Sequence, residues 1–297
     1  MTSYLDRLAD RSAAVGTVLC LGVDPDPATL PAGFSPDVTG VEAFATLLIE
    51  AAAPFAAAVK PNLAFFEAFG SAGLAAFERI RAAVPAGIPV VIDAKRGDIG
   101  TTSARHAAAL YDALGADAIT VSPYLGEDAI RPLLERIDRL AYVLCRTSNP
   151  GAGELQDQPL AASGDRPAEP LWARVAARVA SWGPGGTVGL VVGATAPREL
   201  AAIRAIAPGL PFLVPGVGAQ GGEVDGVLEA GLATAPPAGA DEGGSVRHGG
   251  GLLVNVSRGI ASAGSAEPAA GDAIVLDLGE QLAERARSWA ARLPVLR

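Results

Sequence analysis

Histidine, cysteine and basic charge are scarce in this sequence, and each scarcity closes off a class of function. Two histidines, His106 and His248, and two cysteines, Cys20 and Cys145, are too few imidazole and thiolate ligands for a zinc or iron site. Both cysteines lie inside apolar runs, so they read as reduced interior residues of a cytoplasmic protein rather than as a disulfide framework. Lysine and arginine number 23 against 32 aspartates and glutamates, a net charge of -9, which leaves no broad footprint for nucleic acid or an anionic membrane. The first apolar run, Val15 to Val23, is too short to span a bilayer, and neither a signal peptide nor a membrane segment is expected.

Apolar and turn-forming residues are plentiful instead. Half the chain is hydrophobic (50%) and only 19% charged, which excludes a disordered or fibrous chain and allows a full-sized core. With 36 glycines and 23 prolines, that core is built from many short elements. Runs rich in Val, Ile and Leu recur, each followed by a loop and an Ala/Leu/Arg/Glu stretch, the alternation of parallel strands with crossover helices. Eight strands are predicted: Thr17 to Val23, Ala57 to Lys60, Pro89 to Ala94, Ala118 to Ser122, Ala141 to Thr147, Val188 to Val192, Phe212 to Val214, and Leu252 to Val256. Helices are predicted over Val41 to Ala53, Ser71 to Val84, Thr102 to Leu114, Leu171 to Trp182, Pro197 to Ile206, Gly222 to Leu232, and near Leu276 to Arg292.

Eight such units in 297 residues predict an α/β fold, a single (β/α)8 TIM barrel over residues 1–297. A doubly wound open sheet is the alternative, weakened because no Gly-x-Gly-x-x-Gly turn follows the first strand. Two stretches, 149–170 and 233–251, break the rhythm and read as surface insertions. In the second, Pro236, Pro237 and the Gly249-Gly250-Gly251 run argue against any packed element.

A barrel places its chemistry at the C-terminal strand ends, where this chain sets charge directly after buried sequence. The third strand runs into Asp93-Ala94-Lys95-Arg96-Gly97-Asp98. Period-two alternation puts Asp93 and Lys95 on one side, with Asp98 just beyond, an acid, base, acid array. An ion pair capping the barrel explains that motif about as well as catalysis does. Asp24 and Lys60, ending strands one and two, tip the balance by adding one acid and one base to the same mouth. Interleaved with carboxylates, both lysines stay protonated, which disfavours Schiff-base chemistry. After strands seven and eight come Pro215 to Gly222 and Asn255-Val256-Ser257-Arg258-Gly259, loops in which barrels commonly hold phosphate. The glycines alone would serve as tight turns, but with Gln220 and Arg258 they point to a sugar or nucleotide phosphate.

These residues resemble one family. Leu21-Gly22-Val23-Asp24-Pro25, Lys60-Pro61-Asn62, Asp93 to Thr102, Thr147-Ser148-Asn149-Pro150, Pro215 to Gly222 and Arg258, in this order, resemble the orotidine 5'-phosphate decarboxylases, in particular the larger bacterial (type 2) subgroup. The chain departs from many of these at Glu223, where they carry Asp. The resemblance implies cofactor-free, metal-free decarboxylation of orotidine 5'-monophosphate (OMP) to UMP, for pyrimidine biosynthesis, in a homodimer with shared sites. It implies that Asp93 and Lys95 sit at the carbon that loses carbon dioxide, with Lys95 protonating it. Asp24 and Lys60 would hold ribose hydroxyls, Ser148 the pyrimidine edge, and Gln220 with Arg258 the phosphate, while Asp98 and Thr102 reach into the neighbouring subunit's site. Two other readings remain open: a Mg-dependent sugar-phosphate enzyme using the same Asp-x-Lys-x-x-Asp array, and a non-catalytic nucleotide-binding barrel.

Overall fold

The computed structural model describes residues 2–162, 164, 167–218, 221–236, 246–262 and 277–296. Eight parallel strands form its frame: β1 Leu19–Val23, β2 Ala58–Pro61, β3 Val91–Arg96, β4 Ala118–Val121, β5 Leu140–Arg146, β6 Val188–Val192, β7 Phe212–Val214 and β8 Leu253–Val256. They are hydrogen-bonded in the order β2-β1-β8-β7-β6-β5-β4-β3, and single bridges Val59↔Val90 and Asn62↔Asp93 join β2 to β3, bringing the sheet round to a nearly closed barrel. Alternation sorts the strand residues into two apolar sets. Cys20, Ala58, Val91, Ala118, Tyr142 and Leu253 pack together in one cluster. Leu19, Leu21, Val59, Ile92, Ile119, Val143 and Val254 pack in the other, with the surrounding helices.

The helices of two turns or more among the described residues are α1 Tyr4–Val15, α2 Val38–Ala52, α3 Gly70–Ala83, α4 Gly100–Ala107, α5 Glu127–Leu134, α6 Leu171–Val179, α7 Pro197–Ile206, α8 Val224–Gly231 and α9 Leu278–Arg292. α4 runs on as a π-turn over Ala108–Ala113. α1 and α5 fall where no helix was predicted. α1 starts with a reciprocal capping box between Ser3 and Asp6 and buries Tyr4, Leu5 and Leu8 among the strand starts, where the Tyr4 hydroxyl meets that of Tyr142 at 3.1 Å. The stretch Val38–Phe55 is apolar and long enough to cross a membrane, but it is a core helix that buries Val41, Phe44, Ala45, Leu48 and Ile49 against the barrel.

The expectation for 233–251 needs correction. Residues 237–245 lie outside the described residues, but His248–Gly251 forms a 3-10 turn packed near α1. Its Gly249 and Gly250 are buried at φ of 72° and 55°, and a Cβ on Gly250 would stand 2.7 Å from the Ala233 nitrogen. The glycine run packs because it has no side chains. The 149–170 stretch is also ordered locally: Pro150–Glu154 is a helical turn, and Pro159–Leu160 pairs antiparallel with Glu169–Pro170.

Candidate active site

The charged cluster grows out of an irregularity in β3. Ile92 pairs with Ile119 and Arg96 with Val121, so Asp93, Ala94 and Lys95 bulge opposite the single residue Thr120. Lys95 sits at φ 48°, the sole non-glycine residue with positive φ among those described. The bulge carries β3 to Arg96, two residues past its predicted end.

Asp93 is the hub. Its Oδ2 accepts from the Lys60 ammonium at 2.8 Å, and its Oδ1 accepts from Lys95 at 2.5 Å and from the Thr120 hydroxyl at 2.8 Å. The side chains of Lys60 and Asp93 are only 5% and 11% exposed, whereas that of Lys95 is 50% exposed. Burial opposes ionisation of Asp93, but Lys60 and Lys95 outweigh it and hold the carboxyl well below the usual carboxylate range. Burial likewise opposes the charge on Lys60, and Asp93 with Asp24 outweighs it, so this ammonium titrates above the ordinary lysine range. In order of interaction, Asp24, Lys60, Asp93 and Lys95 thus alternate in sign.

A cleft of about 500 Å³ opens beside this array, lined by Asp24, Lys60 and Asp93 on one side and by Pro215, Gly216, Ser257 and Arg258 on the other. Gly216 and Gly218 hold φ of 98° and 77°. Beneath the two loops lies Trp289 of α9: a Cβ on Gly218 would meet its ring at 3.0 Å and one on Gly259 at 2.8 Å, and its indole nitrogen donates to the Gly259 carbonyl at 3.3 Å. The exposed Arg258 opens a short helical turn, Arg258–Ala261, and its guanidinium has no hydrogen bond or ion pair among the described residues. Gln220 lies outside the described residues.

Ser148 follows β5, half-buried. Gly193, past β6, allows the close approach there, since any Cβ would stand 2.8–2.9 Å from the Ser148 nitrogen and Cα. The chain around Ser148 is braced twice, by Gln156 accepting from the Thr147 nitrogen at 2.8 Å and by the two-point Arg146–Asp157 pair at 2.8 and 3.0 Å.

The array predicted to include Asp98 does not contain it within one chain. Ser103 donates to the Asp98 carbonyl at 2.8 Å and pins that backbone to the start of α4, and the Asp98 carboxylate accepts from the Ile99 nitrogen at 2.7 Å instead of from a lysine. Thr102 lies on the first turn of α4, half-buried beside the exposed Ile99. His106 and His248 do not line the cleft. Thr120 escaped the sequence reading, and Asn255, named there only within the phosphate loop, belongs to β8, lines the cleft and has a buried Oδ1 that faces no partner among the described residues. The signal for each is a lone polar residue at alternate register in an apolar strand.

Comparison with known proteins agrees with this geometry. Residues 17–273 match the Orotidine 5'-phosphate decarboxylase / HUMPS family. The orotidine 5'-phosphate decarboxylase of Thermomicrobium roseum is 46% identical over 294 residues, covering 98% of this chain and 93% of the relative. That of Halorubrum lacusprofundi is 48% identical over 263 residues, 88% of each. The solved structure of Leishmania donovani OMP decarboxylase superposes with a TM-score of 0.76 at 39% identity, covering 98% of this chain and 96% of that one.

Proposed function

The chain belongs to the orotidine 5'-phosphate decarboxylase family and decarboxylates OMP to UMP, and from that premise we propose that Lys95 delivers the proton that replaces the lost carboxylate. In the proposed step the bond from the ring carbon C6 to the carboxylate breaks, carbon dioxide leaves, and the electron pair left on C6 takes a proton from the Lys95 ammonium. No cofactor or metal takes part. The observation that carries this reading is Asp93, largely enclosed and held ionised between two ammonium groups.

A substrate carboxylate about 4 Å from Asp93 meets roughly 4 kcal/mol of repulsion at an effective dielectric near 20, relieved as neutral carbon dioxide departs. Lys95 gains attraction as negative charge gathers on the ring carbon, so its help grows toward the transition state. Asp24 and Lys60 are proposed to hold the ribose hydroxyls, Ser148 the pyrimidine edge, and Gln220 with Arg258 the phosphate, whose remote binding energy helps to assemble the array. In a homodimer, Asp98 and Thr102 are proposed to reach the neighbouring subunit's site, which suits the exposure of Ile99 (66%) between them in sequence. A single-domain enzyme in the cytoplasm, with no nucleic-acid or membrane partner, completes the proposal.

The test is loss of OMP absorbance, with and without EDTA. We expect activity indifferent to EDTA and lowered by at least about 10²–10⁴-fold in Lys95→Ala, with the circular dichroism of the parent. Near-parental turnover in that variant refutes the assigned role, and EDTA sensitivity favours the Mg-dependent sugar-phosphate chemistry.

A further inference from the structure

We infer that Thr120 is a positioning residue that holds the Asp93-Ala94-Lys95 bulge in its reactive shape. The inference rests on the role proposed for Lys95. Thr120 is buried, 2% exposed, in the otherwise apolar strand Ala118–Val121. It is the one residue of β4 set against the three bulged residues of β3, where a regular ladder cannot continue. Its hydroxyl takes the ladder's place. Oγ1 accepts from the Ala94 and Lys95 nitrogens, each at 3.0 Å, and stands 2.8 Å from Asp93 Oδ1.

A threonine hydroxyl has two lone pairs and one proton. With both lone pairs taken by backbone N–H groups, its proton can go only to Asp93, which must then be an acceptor at Oδ1. One side chain thus satisfies two backbone donors that the bulge would otherwise strand, supports Lys95 in left-handed backbone, and orients the carboxylate that the Lys95 ammonium touches at 2.5 Å. Valine in its place leaves the Ala94 and Lys95 N–H groups without that acceptor and Asp93 short of a donor. The bulge then relaxes toward a regular strand, and Lys95 moves with it.

The test compares Thr120→Val with Thr120→Ser by steady-state decarboxylation of OMP and by UMP titration, alongside Lys95→Ala. The phosphate and ribose contacts lie on other strands, so the loss should fall on kcat. We expect kcat of Thr120→Val to drop about 10- to 100-fold, with KM and UMP affinity within about threefold of the parent. Thr120→Ser, which keeps the oxygen, should recover to within about threefold. Parental kcat in Thr120→Val, a loss confined to KM, or a serine variant as impaired as the valine one overturns the inference. If Thr120→Val does not fold, Thr120→Ala serves in the same comparison. An inactive Lys95→Ala beside a fully active Thr120→Val removes this inference alone, while an active Lys95→Ala removes the role of Lys95 beneath it.

Discussion

The contact between Lys60 and Asp93 supports a quantitative prediction. At 2.8 Å and an effective dielectric of 20, the two charges attract by about 6 kcal/mol before desolvation. That gross figure overstates their coupling because neither charge depends on the other alone. Asp93 keeps Lys95 and Thr120 when Lys60 is lost, and Lys60 keeps the field of Asp24 when Asp93 is lost. A double-mutant cycle of Lys60→Met and Asp93→Asn, read by urea unfolding at neutral pH, should therefore give a coupling of about 2–4 kcal/mol. The pH dependence follows from the directions of the two shifts. Asp93 is depressed in the folded state, so its stabilisation is complete above the ordinary carboxylate range and fades as pH drops below about 4. Lys60 is elevated, so its contribution is complete below the ordinary lysine range and fades as pH climbs past about 10.5. The coupling should accordingly be flat between those limits and shrink on either side of them. A value under about 0.5 kcal/mol at neutral pH, the scatter of independent sites, refutes the claim that these side chains hold each other ionised.

Two other substitutions probe separate parts of the cleft. Arg258→Ala should raise KM for OMP and weaken UMP by about 10-fold or more while leaving the affinity for uridine unchanged, measured by calorimetry; equal loss for the nucleoside contradicts a phosphate role. Gly193→Ala drives a methyl into the Ser148 backbone at 2.8 Å, and should cost about 1–3 kcal/mol in thermal unfolding together with a raised KM; a variant neutral in both shows that the Ser148 turn yields freely.

The strands were legible because they are short apolar runs rich in Val, Ile and Leu, and the charges at Asp24, Lys60 and Asp93 stood out against that background. Their convergence needed only the barrel and its alternation. What escaped depends on register and backbone angle. Nothing in the run Ala-Ile-Thr-Val says that Thr120 faces three residues instead of one, nor does Asp-Ala-Lys announce a left-handed Lys95. Asp98 looked like a third member of the array because spacing counts residues, whereas the hydrogen bond from Ser103 redirects the chain. α1 is signalled by its Ser3–Asp6 cap and by Tyr4, Leu5 and Leu8 at helical spacing, but it precedes the first strand and so falls outside the strand-loop-helix rhythm from which the other helices are read. The buried glycine turn at His248–Gly251 was unreadable for a different reason: composition suggests looseness, while close backbone contact requires those same glycines.

The seat of Trp289 has an optical consequence. A single fluorophore rests against the backbone of two separate loops, touching the positions of Gly218 and Gly259 at once, while Trp172 lies in α6 and Trp182 just beyond its end. An anion bound between those loops would alter the surroundings of one indole out of three, and emission on titration with UMP is expected to report occupancy without a label or a turnover.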